Sequence, residues 1–218
     1  MSEKTKRLTI MGMLCAIAYL VMLIKIPIVP AVGFLTYEPK DVIITIGGFM
    51  LGPMAAVSIS VVVSLIEMVT VSDTGPIGLV MNVLASCAFA ATASAIYKKK
   101  HNTSGAVIGL GAGIVVTTAV MLLWNYLITP SYMGVPREIV VDLLIPGFMP
   151  FNLLKTGINS ALVIFLYKPV VLGLRRLDVL PPSGGTGGGG RAKAGIYLVG
   201  FALLCTCVLI VLVLTKKI

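Results

Sequence analysis

The sequence predicts an all-α integral membrane protein: a bundle of six transmembrane helices followed by one additional C-terminal transmembrane-like helix. Of the 218 residues, 58% are hydrophobic and 11% are charged, whereas soluble domains carry about 25% charged residues. Apolar runs recur along the whole chain, and one helical span needs about 20 apolar residues. This composition excludes a water-soluble globule, a disordered chain and a disulfide scaffold.

Six apolar segments, separated by polar or proline- and glycine-containing breaks, predict the spans of the bundle. The first follows a short basic N-terminus, and Gly52-Pro53 divides a stretch that is too long for one span into two. In the fifth, Gly105, Gly109 and Gly113 repeat every four residues, which permits close approach of a neighbouring helix. The expected spans are 8–24, 41–51, 54–69, 77–97, 105–128 and 147–168, the last ending at Lys168-Pro169, with a loop over 129–145. Within that loop, PREIVVDLL could form a short amphipathic turn.

The chain divides into three parts: a six-helix domain over 1–176, a linker over 177–194 and an extra hydrophobic helix over 195–218. The linker contains the run PPSGGTGGGGR, whose glycines predict a flexible segment. It is not a phosphate-binding loop, because no strand precedes it and no Gly-Lys-Ser/Thr ending follows. The glycine-rich run therefore indicates a connection between two membrane-embedded parts.

The distribution of charge predicts the orientation in the membrane. The formal net charge is +9, and basic residues concentrate in cytoplasmic loops of membrane proteins. With the N-terminus inside, the cytoplasmic side holds Lys4, Lys6, Arg7, Lys98, Lys99, Lys100, Lys168, Arg175, Arg176, Arg191 and Lys193. The outer side holds the acids Glu38, Asp41, Glu67, Asp73, Glu138 and Asp142 and few basic residues, namely Lys25, Lys40 and Arg137. We therefore expect a multi-pass cell-membrane protein with a cytoplasmic N-terminus, although a seventh span would place Lys216-Lys217 outside.

Polar residues inside apolar spans indicate a binding site, because such residues are costly in lipid and usually serve function. Asn125 and Tyr126 end the fifth span, and Asn152 and Lys155 lie near the start of the sixth. Residues three apart lie on one helix face, and a lysine there costs about 2.5–3.5 kcal/mol on insertion scales. Both clusters lie at outer helix ends, so we expect them to share one outward-opening pocket.

The residue types of this pocket suit a flat, neutral heterocycle with a hydroxylated tail. Asparagine offers a donor and an acceptor side by side, and lysine offers three donors to ligand oxygens. Aromatic residues that could face a ring are Trp124, Tyr126, Tyr132, Phe148 and Phe151. The alternative is that the aromatic residues form an interfacial belt and that the Asn and Lys side chains snorkel or pair between helices.

An enzyme, a metal site and a bound cofactor find no support in the residue pattern. The single histidine, His101, follows a lysine run, and the four cysteines lie in apolar runs without a Cys-x-x-Cys pair. There is no Ser/His/Asp or Cys/His arrangement and no Walker motif. Transport would then need energy from an ion gradient or another subunit, and the lack of an obvious proton relay favours a partner subunit.

Several segments together resemble the substrate-binding S-component of energy-coupling-factor vitamin transporters. They are the basic start with an apolar first helix, FLTYEPKD over 34–41, Gly52-Pro53, TGPIG over 74–78, Asn125-Tyr126 and PFNLLK over 150–155. The similarity covers about residues 5–176, and the last two segments resemble the riboflavin-specific members. It implies high-affinity riboflavin binding, with riboflavin as the transported ligand, for vitamin uptake with a transmembrane scaffold subunit and two cytoplasmic ATPases in a prokaryotic membrane.

The resemblance also implies roles for individual residues. Asn125, Asn152 and Lys155 would hydrogen-bond the flavin, with Tyr126 beside them and Thr36 and Asn82 nearby. Gly12 and Ala16, small residues four apart on the first helix, would contact the scaffold subunit. Two alternatives stay open: an S-component for thiamin, biotin or a folate, and a non-transporting membrane assembly protein.

Overall fold

The structure is a computed structural model, and it describes residues 2–30, 35–72, 74–176 and 190–215. Its helices are α1 (Glu3–Met22), α2 (Lys40–Leu51), α3 (Pro53–Thr70), α4 (Gly75–Lys100), α5 (Thr103–Leu127), α6 (Thr129–Met133), α7 (Arg137–Leu143), α8 (Met149–Arg176) and α9 (Gly190–Leu214). Two short strands, β1 (Ile26–Pro27) and β2 (Thr36–Tyr37), pair antiparallel between α1 and α2. Turns of π-helix interrupt α4 at Cys87–Ala91 and join α7 to α8 at Leu144–Phe148.

The helices form the predicted all-α membrane bundle. Within the described part of the chain, five helical stretches are long and apolar enough to cross a bilayer: α1, α3, α4, α5 and Arg137–Val170, which includes α7 and most of α8. At 12 residues, α2 is about 18 Å long, which is short for a span, as its predicted bounds indicate. Ten of its residues are buried, because α1, α3, α4 and α8 all pack around it.

Two segments differ from the sequence-based expectation. The predicted loop over 129–145 contains α6 and α7, where Pro130 lies in the first turn of α6 and Pro136 immediately precedes α7. Proline is compatible with a helix start, since the first backbone N–H groups have no partner within the helix. The sixth span continues through Pro169 to Arg176, because membrane helices tolerate proline where neighbouring groups satisfy the freed carbonyl.

The connections alternate, so the bundle has two chemically distinct ends. One end, the basic end, holds the start of α1, the α2–α3 turn and the end of α4 with Lys98–Lys100. Here Arg7 Nη2 donates a hydrogen bond to the Leu51 carbonyl oxygen at 2.7 Å, and Gly52 turns the chain with φ of 98°, a value that favours glycine. The other end, the site end, holds the β1–β2 hairpin, α6, α7 and the start of α8.

The glycine repeat of α5 packs against α4, which confirms the predicted close helix approach. A Cβ atom built on Gly109 would lie 2.6 Å from the Ala93 carbonyl oxygen, and one on Gly113 would lie 3.0 Å from the Phe89 carbonyl oxygen. A methyl group at Gly109 does not fit against the Ala93 backbone, and one at Gly113 would force its neighbour to shift by a few tenths of an ångström, so the glycines allow this close contact between the two backbones.

The C-terminal helix α9 packs antiparallel against α8. The Tyr197 and Phe165 rings stack with centroids 6.0 Å apart, and a Cβ atom on Gly157 would lie 2.9 Å from Cys207 Sγ. The helix begins at Gly190, five residues before the predicted start of the third part. Residues 177–189 of the predicted linker and Lys216-Lys217 lie outside the described residues.

Candidate ligand-binding site

A polar cavity of about 160 Å³ lies at the site end of the bundle. It is enclosed by the hairpin and by α3, α4, α5 and α8, five elements that the alternating connections bring to the same end. The residues that line it are Lys25, Leu35, Thr36, Glu38, Glu67, Ser72, Thr74, Met81, Asn82, Ala85, Met121, Asn125, Phe151, Asn152 and Lys155. Its wall therefore combines amides, hydroxyls and charges of both signs.

Five of the six residues predicted to bind ligand line this cavity. Thr36 lies on β2, Asn82 on α4 and Asn125 on α5, while Asn152 and Lys155 lie one turn apart on α8. The start of α8 packs near the end of α5, as expected for two helices that are joined at the site end. The structure thus brings together side chains that are up to 119 residues apart in the sequence.

Hydrogen bonds hold the side-chain amides of Asn125 and Asn152 in fixed orientations. Asn125 Nδ2 donates to the Met121 carbonyl oxygen at 2.7 Å, and Asn125 Oδ1 accepts from Thr129 Oγ1 at 2.8 Å. Asn152 Nδ2 donates to the Phe148 carbonyl oxygen at 2.8 Å, and no described residue donates to Asn152 Oδ1. The acceptor oxygen of Asn152 is therefore available to a donor on a ligand.

Lys155 has the charged partner that its position in an apolar helix requires. Its Nζ lies 3.6 Å from Asp41 Oδ2, and Asp41 also accepts hydrogen bonds from Ser86 Oγ at 2.5 Å and from Asn159 Nδ2 at 3.5 Å. Asp41 is buried, and the Lys155 side chain keeps 12% of its surface exposed. The ammonium group is thus neutralised on one side and lines the cavity on the other.

A second ion-pair cluster in the cavity wall was not anticipated from the sequence. Lys40 Nζ lies 2.8 Å from Glu38 Oε2 and 2.5 Å from Glu67 Oε2, and Asn82 Nδ2 donates to Glu67 Oε1 at 2.8 Å. From the sequence, Glu38, Asp41 and Glu67 are predicted only as charges on the outer side. The cost of unpaired charge in apolar segments was the signal that could have indicated their pairing with lysines.

An apolar cavity of about 210 Å³ adjoins the polar one and shares Leu35, Thr74, Met81 and Asn125 with it. Its other lining residues are Ile77, Gly78, Trp124, Ile128, Thr129, Tyr132 and Met133. The two cavities meet at Asn125, so one elongated ligand could occupy both. A flat ring system fits such walls of aromatic and aliphatic side chains.

Three predicted aromatic residues lie in different surroundings from Trp124 and Tyr132. Phe151 lines the polar cavity, whereas Phe148 is fully buried in the hydrophobic core. Tyr126, the sixth predicted ligand residue, lines neither cavity and is 38% exposed. The Arg137 guanidinium lies 5.1 Å from the centre of its ring, so the structure does not bring Tyr126 to the other five residues.

A hydrogen bond from Tyr37 connects the hairpin to α8. Its hydroxyl donates to Asn159 Oδ1 at 2.9 Å, and Asn159 in turn contacts Asp41. Burial raises the pKa of the Tyr37 hydroxyl, and the negative charge of Asp41 raises it further. The hydroxyl therefore stays protonated and remains a hydrogen-bond donor.

The arrangement can bind an amphiphilic molecule that has a flat apolar end and a polar end rich in donors and acceptors. Among the residues that the structure describes, no group of three or more His, Cys, Asp or Glu side chains could hold a metal ion. Fold and cavities together define a membrane-embedded binding protein with its site at one end of a helical bundle.

Comparison with known proteins assigns this bundle to a family. The profile described as "ECF transporter, substrate-specific component" matches residues 6–167. The chain belongs to this family of energy-coupling-factor transporter subunits. It is therefore a membrane transport component and not an enzyme.

Individual relatives agree with this assignment. The chain is 31% identical over 182 residues to "Riboflavin transporter RibU" of Staphylococcus aureus, covering 80% of this chain and 95% of the relative. It is 26% identical over 161 residues to "Riboflavin transporter FmnP" of Bacillus subtilis, covering 70% and 85%. A solved structure described as "Structure and mechanism of the S component of a bacterial ECF transporter" superposes with a TM-score of 0.69 at 33% identity, covering 79% of this chain and 99% of that one.

Proposed function

We propose that this protein is the high-affinity riboflavin-binding subunit of an energy-coupling-factor transporter and that it mediates vitamin uptake across the cell membrane. The observation that carries the proposal is the convergence of Asn125, Asn152 and Lys155 on a polar cavity that continues into an aromatic-lined apolar one. The names of the relatives as riboflavin transporters support the same ligand.

The two cavities match the two ends of the flavin ring system. The pyrimidine edge carries an N–H between two carbonyl groups, which the Asn152 acceptor and the Lys155 donors complement. The dimethylbenzene end is apolar and fits between Trp124, Tyr132 and the aliphatic residues of the adjoining cavity. The ribityl hydroxyls then face the remaining polar wall, which includes Thr36 and Asn82.

The purified protein is expected to carry flavin absorption bands or to quench the fluorescence of added riboflavin. In a thermal-shift panel, riboflavin should raise the melting temperature, whereas thiamin, biotin and a folate should not, because only bound ligand stabilises the folded state. Stabilisation by another vitamin and not by riboflavin would favour an S-component of different specificity. No response to any of them, with no scaffold or ATPases co-purifying, would favour an assembly protein.

For partners, we propose a transmembrane scaffold subunit and two cytoplasmic ATPases. The α1 face that carries Gly12 and Ala16 is exposed, and a side chain at Gly12 would meet no described atom within 4 Å. Leu8 and Leu20 continue this stripe at a spacing of four residues and are 70% and 63% exposed. Small residues flanked by exposed leucines suit close contact with another membrane helix.

Replacing Gly12 and Ala16 together by leucine is expected to reduce capture of the scaffold and ATPases at least tenfold while riboflavin affinity changes less than twofold. Bulky side chains would hold the partner helix away, and α1 does not line the cavity. Co-purification with a tagged ATPase measures the first effect, and fluorescence quenching measures the second. Gly111→Leu, on an exposed face of α5 with nothing within 4 Å, is the matched control, and equal loss in both variants would contradict the α1 assignment.

We also propose that the protein lies in the prokaryotic cell membrane with a cytoplasmic N-terminus. The basic end contains the N-terminal lysines Lys4 and Lys6 and the run Lys98–Lys100, which the positive-inside rule places in the cytoplasm. The cavity then opens toward the outside, where the vitamin is captured.

A further inference from the structure

The wall of the polar cavity also carries two buried carboxylates. Glu38 and Glu67 both line the cavity and are 8% and 5% exposed. They share one counter-ion, Lys40, which is 1% exposed and lies behind the wall without lining the cavity. Two negative charges and one positive charge therefore leave this part of the wall with an excess of negative charge.

The remaining charges near the cavity do not cancel that excess. Lys155 is paired with Asp41, so that pair adds no net charge. Lys25 lines the cavity but is exposed, and its charge is weakened by water and salt. The two carboxylates are shielded from solvent, and electrostatic interactions are stronger in such buried surroundings than in water.

We infer that Glu38 and Glu67 determine ligand specificity: they favour binding of a flavin whose tail is a neutral polyol, and they weaken binding of a flavin whose tail carries a phosphate group. The inference rests on the proposed riboflavin function, in which the hydroxylated tail faces this wall. Ionised carboxylates only accept hydrogen bonds, so they match the hydroxyl donors of a ribityl chain. A phosphate brings about −1.5 to −2 charge and acceptor oxygens, and it has no donor to offer in its dianionic form.

The inference is tested with two flavins that differ only at the end of the tail, riboflavin and riboflavin 5′-phosphate. Dissociation constants of both are measured by fluorescence quenching for the full-length protein in detergent. The unmodified protein should bind riboflavin at least tenfold more tightly than the phosphate. Glu38→Gln and Glu67→Gln should each lower the ratio of the two dissociation constants, phosphate over riboflavin, at least threefold. Each substitution removes one negative charge from the cavity wall.

The single substitutions leave Lys40 with one carboxylate partner, and having two variants guards against misfolding of either one. Glu138→Gln is the matched control, because Glu138 is an exposed acid on α7 that does not line this cavity. The ratio of its two dissociation constants should equal that of the unmodified protein. Equal affinity of the unmodified protein for both flavins, or an unchanged ratio in both variants, would overturn the inference and leave riboflavin binding intact. Binding of neither flavin would instead overturn the proposed function itself.

Discussion

The variant that carries Asn152→Ala and Lys155→Ala is expected to bind riboflavin about 100-fold more weakly than the unmodified protein. Asn152 offers an acceptor oxygen that no described residue uses, and Lys155 presents an ammonium group to the cavity. A neutral hydrogen bond contributes about 1 kcal/mol and a charged one about 1.5–3 kcal/mol. Their joint loss of about 3 kcal/mol corresponds to two orders of magnitude in affinity. Titration by fluorescence quenching measures it.

A control for nonspecific damage is Lys99→Ala, which removes an exposed lysine at the basic end, far from the cavity. Its affinity should match that of the unmodified protein. Without ligand, the double variant should melt at a lower temperature than the unmodified protein, because Asp41 is buried and loses the ammonium group of Lys155 as its counter-ion. Its flavin affinity is therefore measured well below that melting temperature. Flavin affinity that stays within threefold of normal would contradict the assignment of Asn152 and Lys155 to the ligand.

The helical bundle could be predicted because membrane spans are specified by local features of the sequence. Apolar length and the break at Gly52-Pro53 determine where α2 ends and α3 begins, and the basic run Lys98–Lys100 closes α4. The sequence predicts a loop at α6 and α7, with a short amphipathic turn where α7 lies, because five to seven residues with prolines nearby give little periodic signal. Whether α8 continues past Pro169 depends on groups in the neighbouring helices, and the residues next to the proline in the sequence do not reveal those groups.

Part of the site could be predicted because polar residues stand out against an apolar background. Asn152 and Lys155 share a helix face, and the alternating order of spans places Asn125 at the same end. The position of the Tyr126 side chain could not be predicted from its neighbour Asn125. It follows Asn125 directly, but one helical residue rotates the side chain by about 100°, and the structure places it beside Arg137.

The ion-pair cluster of Glu38, Lys40 and Glu67 could not be assigned because Glu67 comes from a different segment than Glu38 and Lys40. Lys40 and Glu67 are 27 residues apart, and no local feature of the sequence indicates that the end of α3 packs beside the start of α2. The number of acids near the helix ends at the site end indicates that ion pairs must form, but it does not indicate which residues pair. Pairing is decided by packing of α2 at the centre of the bundle, which only the three-dimensional structure gives.

Replacing Lys40 by methionine is expected to destabilise the protein by about 3–5 kcal/mol, the cost of removing one partner from a buried ion pair. Lys40 is among the largest fully buried side chains, and methionine keeps most of its volume while removing its charge. Glu38 and Glu67 would then face each other without a counter-ion in a region shielded from water. Thermal unfolding in detergent without ligand should show a clearly lower melting temperature than the unmodified protein.

Combining Lys40→Met with Glu67→Gln should recover part of that loss, because one uncompensated carboxylate is removed while the Asn82 amide keeps an oxygen to donate to. Lys25→Met removes an exposed lysine from the same side and should change the melting temperature little, as isolated surface charges contribute at most about 1 kcal/mol. A Lys40→Met protein as stable as the unmodified one would show that the two acids do not depend on Lys40. A double variant less stable than Lys40→Met alone would show that the Glu67 side chain stabilises the wall through contacts other than this ion pair.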